Sequence, residues 1–162
     1  MKKITLKNFV RFALLLFISV GVVSCSKDSK DDDPTPVETA GVEGSWNITA
    51  ITAAPALNGI TDLLAFLNAL TGNDCLSRIT FIFKADGTID GTVPAGCTDV
   101  ADENDVLDDK STWKVVGNKI QLTDGTDVSE YDLEVNKTEM KWSYDEVESG
   151  VTYKYTLVFK RK

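Results

Sequence analysis

The 162-residue chain contains no histidine, and only three cysteines, two methionines and four prolines. Without histidine there is no imidazole to act as general base, to activate a nucleophile or to hold a metal. No Gly-rich phosphate loop and no Cys-x-x-Cys pair occurs either. Positive charge is scarce: 17 Lys and Arg stand against 25 Asp and Glu, for a net charge of −8. Such a surface has too few cations to displace the counterions of a phosphate backbone, which argues against nucleic acid as a partner. With that many acids, carboxylate pairs of the kind glycoside hydrolysis needs arise by chance, and none sits in a recognisable motif. The expectation is a protein that is not an enzyme and carries no cofactor.

One extended apolar run is present, Phe12–Val23, behind Lys2, Lys3, Lys7 and Arg11. It is shorter than the roughly 20 residues a helix needs to span a bilayer. A basic start followed by a short apolar run is the layout of a removable secretory signal. The run ends in Val22-Val23-Ser24-Cys25, which resembles a lipobox. That resemblance implies that residues 1–24 are a signal peptide and that Cys25 becomes the acylated N-terminus, carrying diacylglycerol and an amide-linked chain such as palmitate. Two or three such chains anchor stably, since each buried methylene contributes roughly 0.8 kcal/mol. Cleavage removes four basic residues and no acidic one, taking the net charge from −8 to −12. The expected contact with the membrane is therefore the lipid alone.

Residues 25–42 read as the lipidated Cys and a polar, acidic, proline-bearing tether with almost nothing to bury. Within it, Ser29-Lys30-Asp31-Asp32-Asp33 resembles the signal that sends bacterial lipoproteins to the outer face of the outer membrane. The expected location is the outer membrane, with the domain exposed on the cell surface. That route is oxidising, so disulfides can persist. With Cys25 lipidated, Cys75 and Cys97 remain, and two thiols allow one pairing. Free thiols or metal ligands are the alternative, and the spacing matches no zinc pattern.

Residues 43–162 are one domain by length and alternate apolar and polar residues in short runs between turn signals. The runs are Gly44–Ile51, Ile79–Phe83, Thr88–Val93, Thr112–Val116, Lys119–Thr123, Ser129–Val135, Glu139–Tyr144 and Val151–Lys160. This pattern predicts an all-β protein of eight antiparallel strands joined mostly by tight hairpins. Between Leu57 and Thr71 the period changes: Ile60, Leu63, Leu64, Leu67 and Leu70 fall at helical spacing. The expectation is one short inserted helix, capped by Asn58, stopped at Gly72-Asn73, and lying as a plug or lid across one end. A Cys75–Cys97 bond would clip the helix exit to the end of the third strand. The acidic loop 98–110 lacks the order and central glycine of an EF-hand, and reads as a solvated loop and not a Ca²⁺ site.

The stretches around Cys75, Ile79–Thr88, Cys97, Ser111–Thr123 and Tyr155–Lys160 resemble the lipocalin-like domains of small bacterial lipoproteins, and Gly44-Ser45-Trp46 matches the Gly-x-Trp that opens the first lipocalin strand. The resemblance implies an eight-stranded antiparallel up-and-down β-barrel. It also implies that Trp46 closes one barrel end under a basic side chain near the last strand, for which Arg161 is the best-placed residue. Phe81, Phe83, Trp113, Tyr131, Trp142 and Tyr153 are the candidate inward wall, with Tyr144 and Tyr155 nearby. The expected function is a membrane-anchored, lipocalin-like lipoprotein taking a small apolar ligand in its cup. The alternative is a surface protein-interaction, accessory or inhibitor module with a filled core, presenting Asp102, Glu103, Asp105, Asp108 and Asp109.

Overall fold

The computed structural model describes residues 41–98 and 111–162. The segments read above as signal peptide, lipidated Cys25, most of the tether and, apart from Thr98, the acidic loop lie outside the described residues.

Alternation of inward and outward side chains produces a meander of β1 (Gly44–Leu57), β2 (Ile60–Asp62), β3 (Thr80–Phe83), β4 (Ile89–Thr92), β5 (Thr112–Val116), β6 (Lys119–Asp124), β7 (Asp127–Val135), β8 (Glu139–Glu148) and β9 (Val151–Arg161). Two helices, α1 (Leu63–Thr71) and α2 (Cys75–Arg78), separate β2 from β3. The pairing order is β4-β3-β1-β9-β8-β7-β6-β5, antiparallel throughout, with β2 as an extra strand on β1. The two outer strands of that order meet through a Thr88–Thr112 bridge, with Trp113 N donating to Gly87 O at 2.7 Å and Ile89 N to Ser111 O at 3.1 Å. The eight long-path strands thus form a nearly closed barrel, which agrees with the all-β, up-and-down expectation.

Inside the barrel lies one apolar cluster built from Trp46, Ile48, Leu64, Ile79, Phe81, Phe83, Trp113, Ile120, Leu133, Met140, Trp142 and Phe159 among others. On β1 the register shifts between Ile48 and Ala50. That irregularity changes the parity, so Trp46 and Ile48 below it and Ile51 and Ala53 above it all face inward, opposite Arg161, Phe159, Leu157 and Tyr155.

The inserted segment differs from its sequence-based expectation. β1 runs on to Leu57, and Asn58-Gly59 forms a hairpin turn into β2, with φ of 51° and 84°. Two successive positive φ values are what a tight hairpin demands and what Asn-Gly tolerates. Asn58 is therefore a turn residue, and the helix cap is Asp62, whose carboxylate accepts from Ala65 N at 3.0 Å. Gly72 ends α1 in the left-handed conformation, as expected. Because β9 occupies one edge of β1 from Trp46 to Ala54, β2 and β3 share its other edge. α1 therefore springs from the edge of β1 above β3. Of its apolar residues only Leu64 is buried, while Phe66 and Leu67 are each 44 % and Leu70 70 % exposed. The helix plugs the barrel with one side chain and turns the rest of its apolar face outward. A disulfide joins Cys75, at the start of α2, to Cys97, after β4.

Candidate functional site

The two ends of the barrel differ in chemistry. At the lower end, where the described chain begins, Gly44 takes φ 124° and Arg161 reaches across it. The guanidinium carbon sits 4.1 Å from the Trp46 ring centroid, within cation–π range. Its three nitrogens donate to Lys137 O at 2.8 Å, Glu43 O at 2.7 Å and Gly41 O at 2.7 Å. Trp46 Nε1 donates to Val42 O at 2.8 Å. A Cβ on residue 44 would strike the Arg161 guanidinium, and the backbone there suits only glycine. This explains Gly-x-Trp physically: the glycine leaves room for the arginine that seals the end.

Above this seal the predicted wall residues pack on one another. Phe83 meets Trp113 at 5.7 Å and Trp142 at 5.6 Å, both edge to face. Phe81 meets Phe159 at 6.1 Å, and Phe159 meets Trp142 at 4.6 Å. Trp113 Nε1 donates to Lys84 O at 3.2 Å. Phe81, Phe83, Trp113, Trp142 and Phe159 are thus five interlocked rings that fill the lower and middle barrel. Tyr131 stacks on Trp142 at 5.7 Å, and Tyr153 stands apart, touching Tyr155 at 6.3 Å.

Residues 42–142, more than half of the chain, match the family model described as a lipocalin-like domain. The chain belongs to the lipocalin-like domain family. No curated protein and no solved structure matches it. The lipocalin-like match and the nearly closed barrel agree, and the matched range includes Gly44 and Trp46 of the sealed end but not Arg161.

At the upper end of this lipocalin-like barrel two side chains that sequence reasoning left out, Glu146 and Glu148, join the tyrosines it named. Tyr144 pairs with Tyr155 across β8 and β9, Glu146 with Tyr153 and Glu148 with Val151. All share the parity of Trp142 and Leu157 and so the inner face. Tyr144 stacks on Tyr155 at 5.3 Å and meets Tyr131 edge to face at 5.7 Å. Tyr155 Oη donates to Glu148 Oε1 at 2.9 Å. Burial and then the Glu146 carboxylate, with Tyr131 and Glu148 behind, hold the Tyr144 hydroxyl neutral, its pKa pushed up to about 12. Burial and the Glu148 hydrogen bond raise Tyr155 in the same direction, and burial raises Tyr131. Trp142 is 6 % exposed, yet its Nε1–H has no acceptor. The signal that would have found Glu146 and Glu148 is their shared parity with Trp142 and Tyr144, but acids on an inward parity contradict the binary pattern used to read strands.

Proposed function

We propose that this lipocalin-like chain is a non-enzymatic, lipid-anchored outer-membrane protein, displayed on the cell surface, that takes one small, largely apolar ligand at the upper end of its barrel. The observation that carries this reading is Trp142: a buried indole N–H without an acceptor, beneath half-buried Tyr131 and Tyr144. Leaving a buried donor unmade costs about 1–3 kcal/mol, a penalty that a ligand acceptor would relieve. The lower barrel is filled by its own rings, so the ligand would sit high and be small. The lipobox-like Val22-Val23-Ser24-Cys25 supports the anchor, and the acidic run after it supports display.

Native mass spectrometry of protein purified from its own host tests the carrier reading. The expected result is a co-purifying small molecule whose re-addition raises the melting temperature. A filled barrel with nothing bound and no ligand-dependent melting would overturn it. Intact mass of the mature chain, and protease shaving of whole cells, test the acylated Cys25 and its display.

A second reading, a surface interaction or accessory module with a filled core, is favoured by the interlocked rings and by the exposed Phe66, Leu67 and Leu70 on α1. Replacing those three by polar residues would then release a partner without altering any bound small molecule.

A further inference from the structure

We propose that the upper mouth of the barrel selects a small organic cation, an amine or quaternary ammonium whose apolar body and hydrogen-bond acceptor lie deeper. This inference rests on the carrier reading above and names the ligand class.

The mouth combines aromatic faces with uncompensated negative charge. Tyr131, Tyr144, Tyr153 and Tyr155 come from β7, β8 and β9 and form one chain of ring contacts. Glu146 and Glu148 project from the same face of β8, each partly buried. On the outer wall two acids have cations: Glu139 bonds to Lys160 at 2.7 Å and Lys141 at 3.3 Å, and Asp132 to Lys119 at 2.6 Å. Those lysines hold the Glu139 carboxyl below its usual range. Among the described residues, Glu146 and Glu148 have no ion pair, and Glu148 has only the Tyr155 hydroxyl. Carboxylates withdrawn from water among rings are costly without a counter-charge. Their field is felt by both neighbouring phenols, which resist ionisation.

Electron-rich ring faces attract cations and disfavour anions, and a carboxylate beside them adds to that preference. A neutral or anionic ligand would leave both carboxylates uncompensated. The depth of the site is marked independently by Trp142. Its unpartnered Nε1–H lies on the same face, one pleat below Tyr144 and two below Glu146. Successive inward residues on a strand are about 7 Å apart, so Trp142 and Glu146 stand about 14 Å apart along the backbone, and a small molecule with an acceptor at its inner end and a cation at its outer end lies between the two side chains. The geometry thus asks for a molecule of two ends, basic outside and acceptor-bearing inside.

The probe is benzoylcholine, which has a quaternary ammonium, an ester carbonyl and a ring, compared by calorimetry with its uncharged isostere 3,3-dimethylbutyl benzoate. The wild-type protein should bind the cation tighter by about ten-fold or more. The Glu146→Gln/Glu148→Gln pair, which keeps an acceptor for Tyr155, should abolish that preference, and added salt should weaken it. Tyr144→Phe should keep it, because the ring face remains, and Tyr144→Leu should lower it. Circular dichroism and melting on each variant separate lost binding from lost folding. Equal affinity for both probes, or a preference that survives the double substitution, overturns the cationic selectivity and leaves the carrier reading intact. Binding of neither probe also overturns it, while the carrier reading stands or falls on the co-purified molecule.

Discussion

At the residue scale, Gly44, Trp46 and Arg161 act as one unit. Gly44 has a φ of 124°, and its missing side chain makes room for the guanidinium. Gly44→Ala should therefore cost about 3 kcal/mol, part backbone strain and part displacement of Arg161. In an Arg161→Ala background the second part vanishes, so a double-mutant cycle by urea unfolding should show a coupling of about 1 kcal/mol or more. Arg161→Ala alone leaves the carbonyls of Gly41, Glu43 and Lys137 without their donor and should itself cost about 2–3 kcal/mol. The tyrosines make a pH prediction. The Tyr144 hydroxyl is raised from 10.0 to about 12 in the folded state, and Tyr155 moves the same way. A group whose folded pKa lies above its unfolded value stabilises fully below the unfolded value and loses that contribution as pH rises toward the folded one. Stability should thus fall between about pH 10 and pH 12, and Tyr144→Phe should flatten the fall, measured by denaturant midpoints across that range.

At the element scale, α1 separates what spacing reveals from what it hides. Its helical period was legible, and so was its stop at Gly72. Its start was not, because Ile51–Leu64 carries apolar residues that fit either period, and Asn58 suits a helix cap as well as the hairpin turn it makes with Gly59. Spacing also shows that an apolar face exists without showing what covers it. Leu64 enters the barrel core, whereas Leu70 is 70 % exposed. Leu64→Ala should cost about 2–4 kcal/mol, and Leu70→Ala should stay within about 0.5 kcal/mol, read from the same unfolding curves. The strands β7, β8 and β9 were the most legible elements, because long hairpins preserve parity from Leu133 and Trp142 through Leu157 and Phe159. Their boundaries were extended by the structure at Asp127 and Glu148. The residues beyond Tyr144 were missed because Glu146 and Glu148 put charge on the inner parity.

At the scale of the whole molecule, the barrel is closed by weak and strong devices together. The β4–β5 seam is held by the Thr88–Thr112 bridge and its two flanking backbone hydrogen bonds. Nearby, the Cys75–Cys97 bond spans a sequence separation of 22 and ties α2 to the segment leaving β4. Closing a loop of that length stabilises by about 3 kcal/mol on the chain-entropy model. Cys75→Ser/Cys97→Ser, or reduction, should lower the melting temperature by on the order of 10 °C in a calorimetric scan. The fold class was legible because hairpin order and alternation are local properties. The contents of the barrel were not, since inward aromatics read the same whether they line a hollow or fill it. Here they do both by level: five rings interlock below, and tyrosines with two carboxylates surround the end above. Trp142 is the floor of the proposed site. Of the three tryptophans, Trp46 and Trp113 donate to backbone carbonyls and Trp142 donates to none. Indole N–H resonances followed by nuclear magnetic resonance during titration with the co-purified molecule read this directly. The Trp142 signal should move downfield as it gains an acceptor while the Trp46 and Trp113 signals stay in place; a bound molecule that leaves the Trp142 signal unmoved would contradict the account.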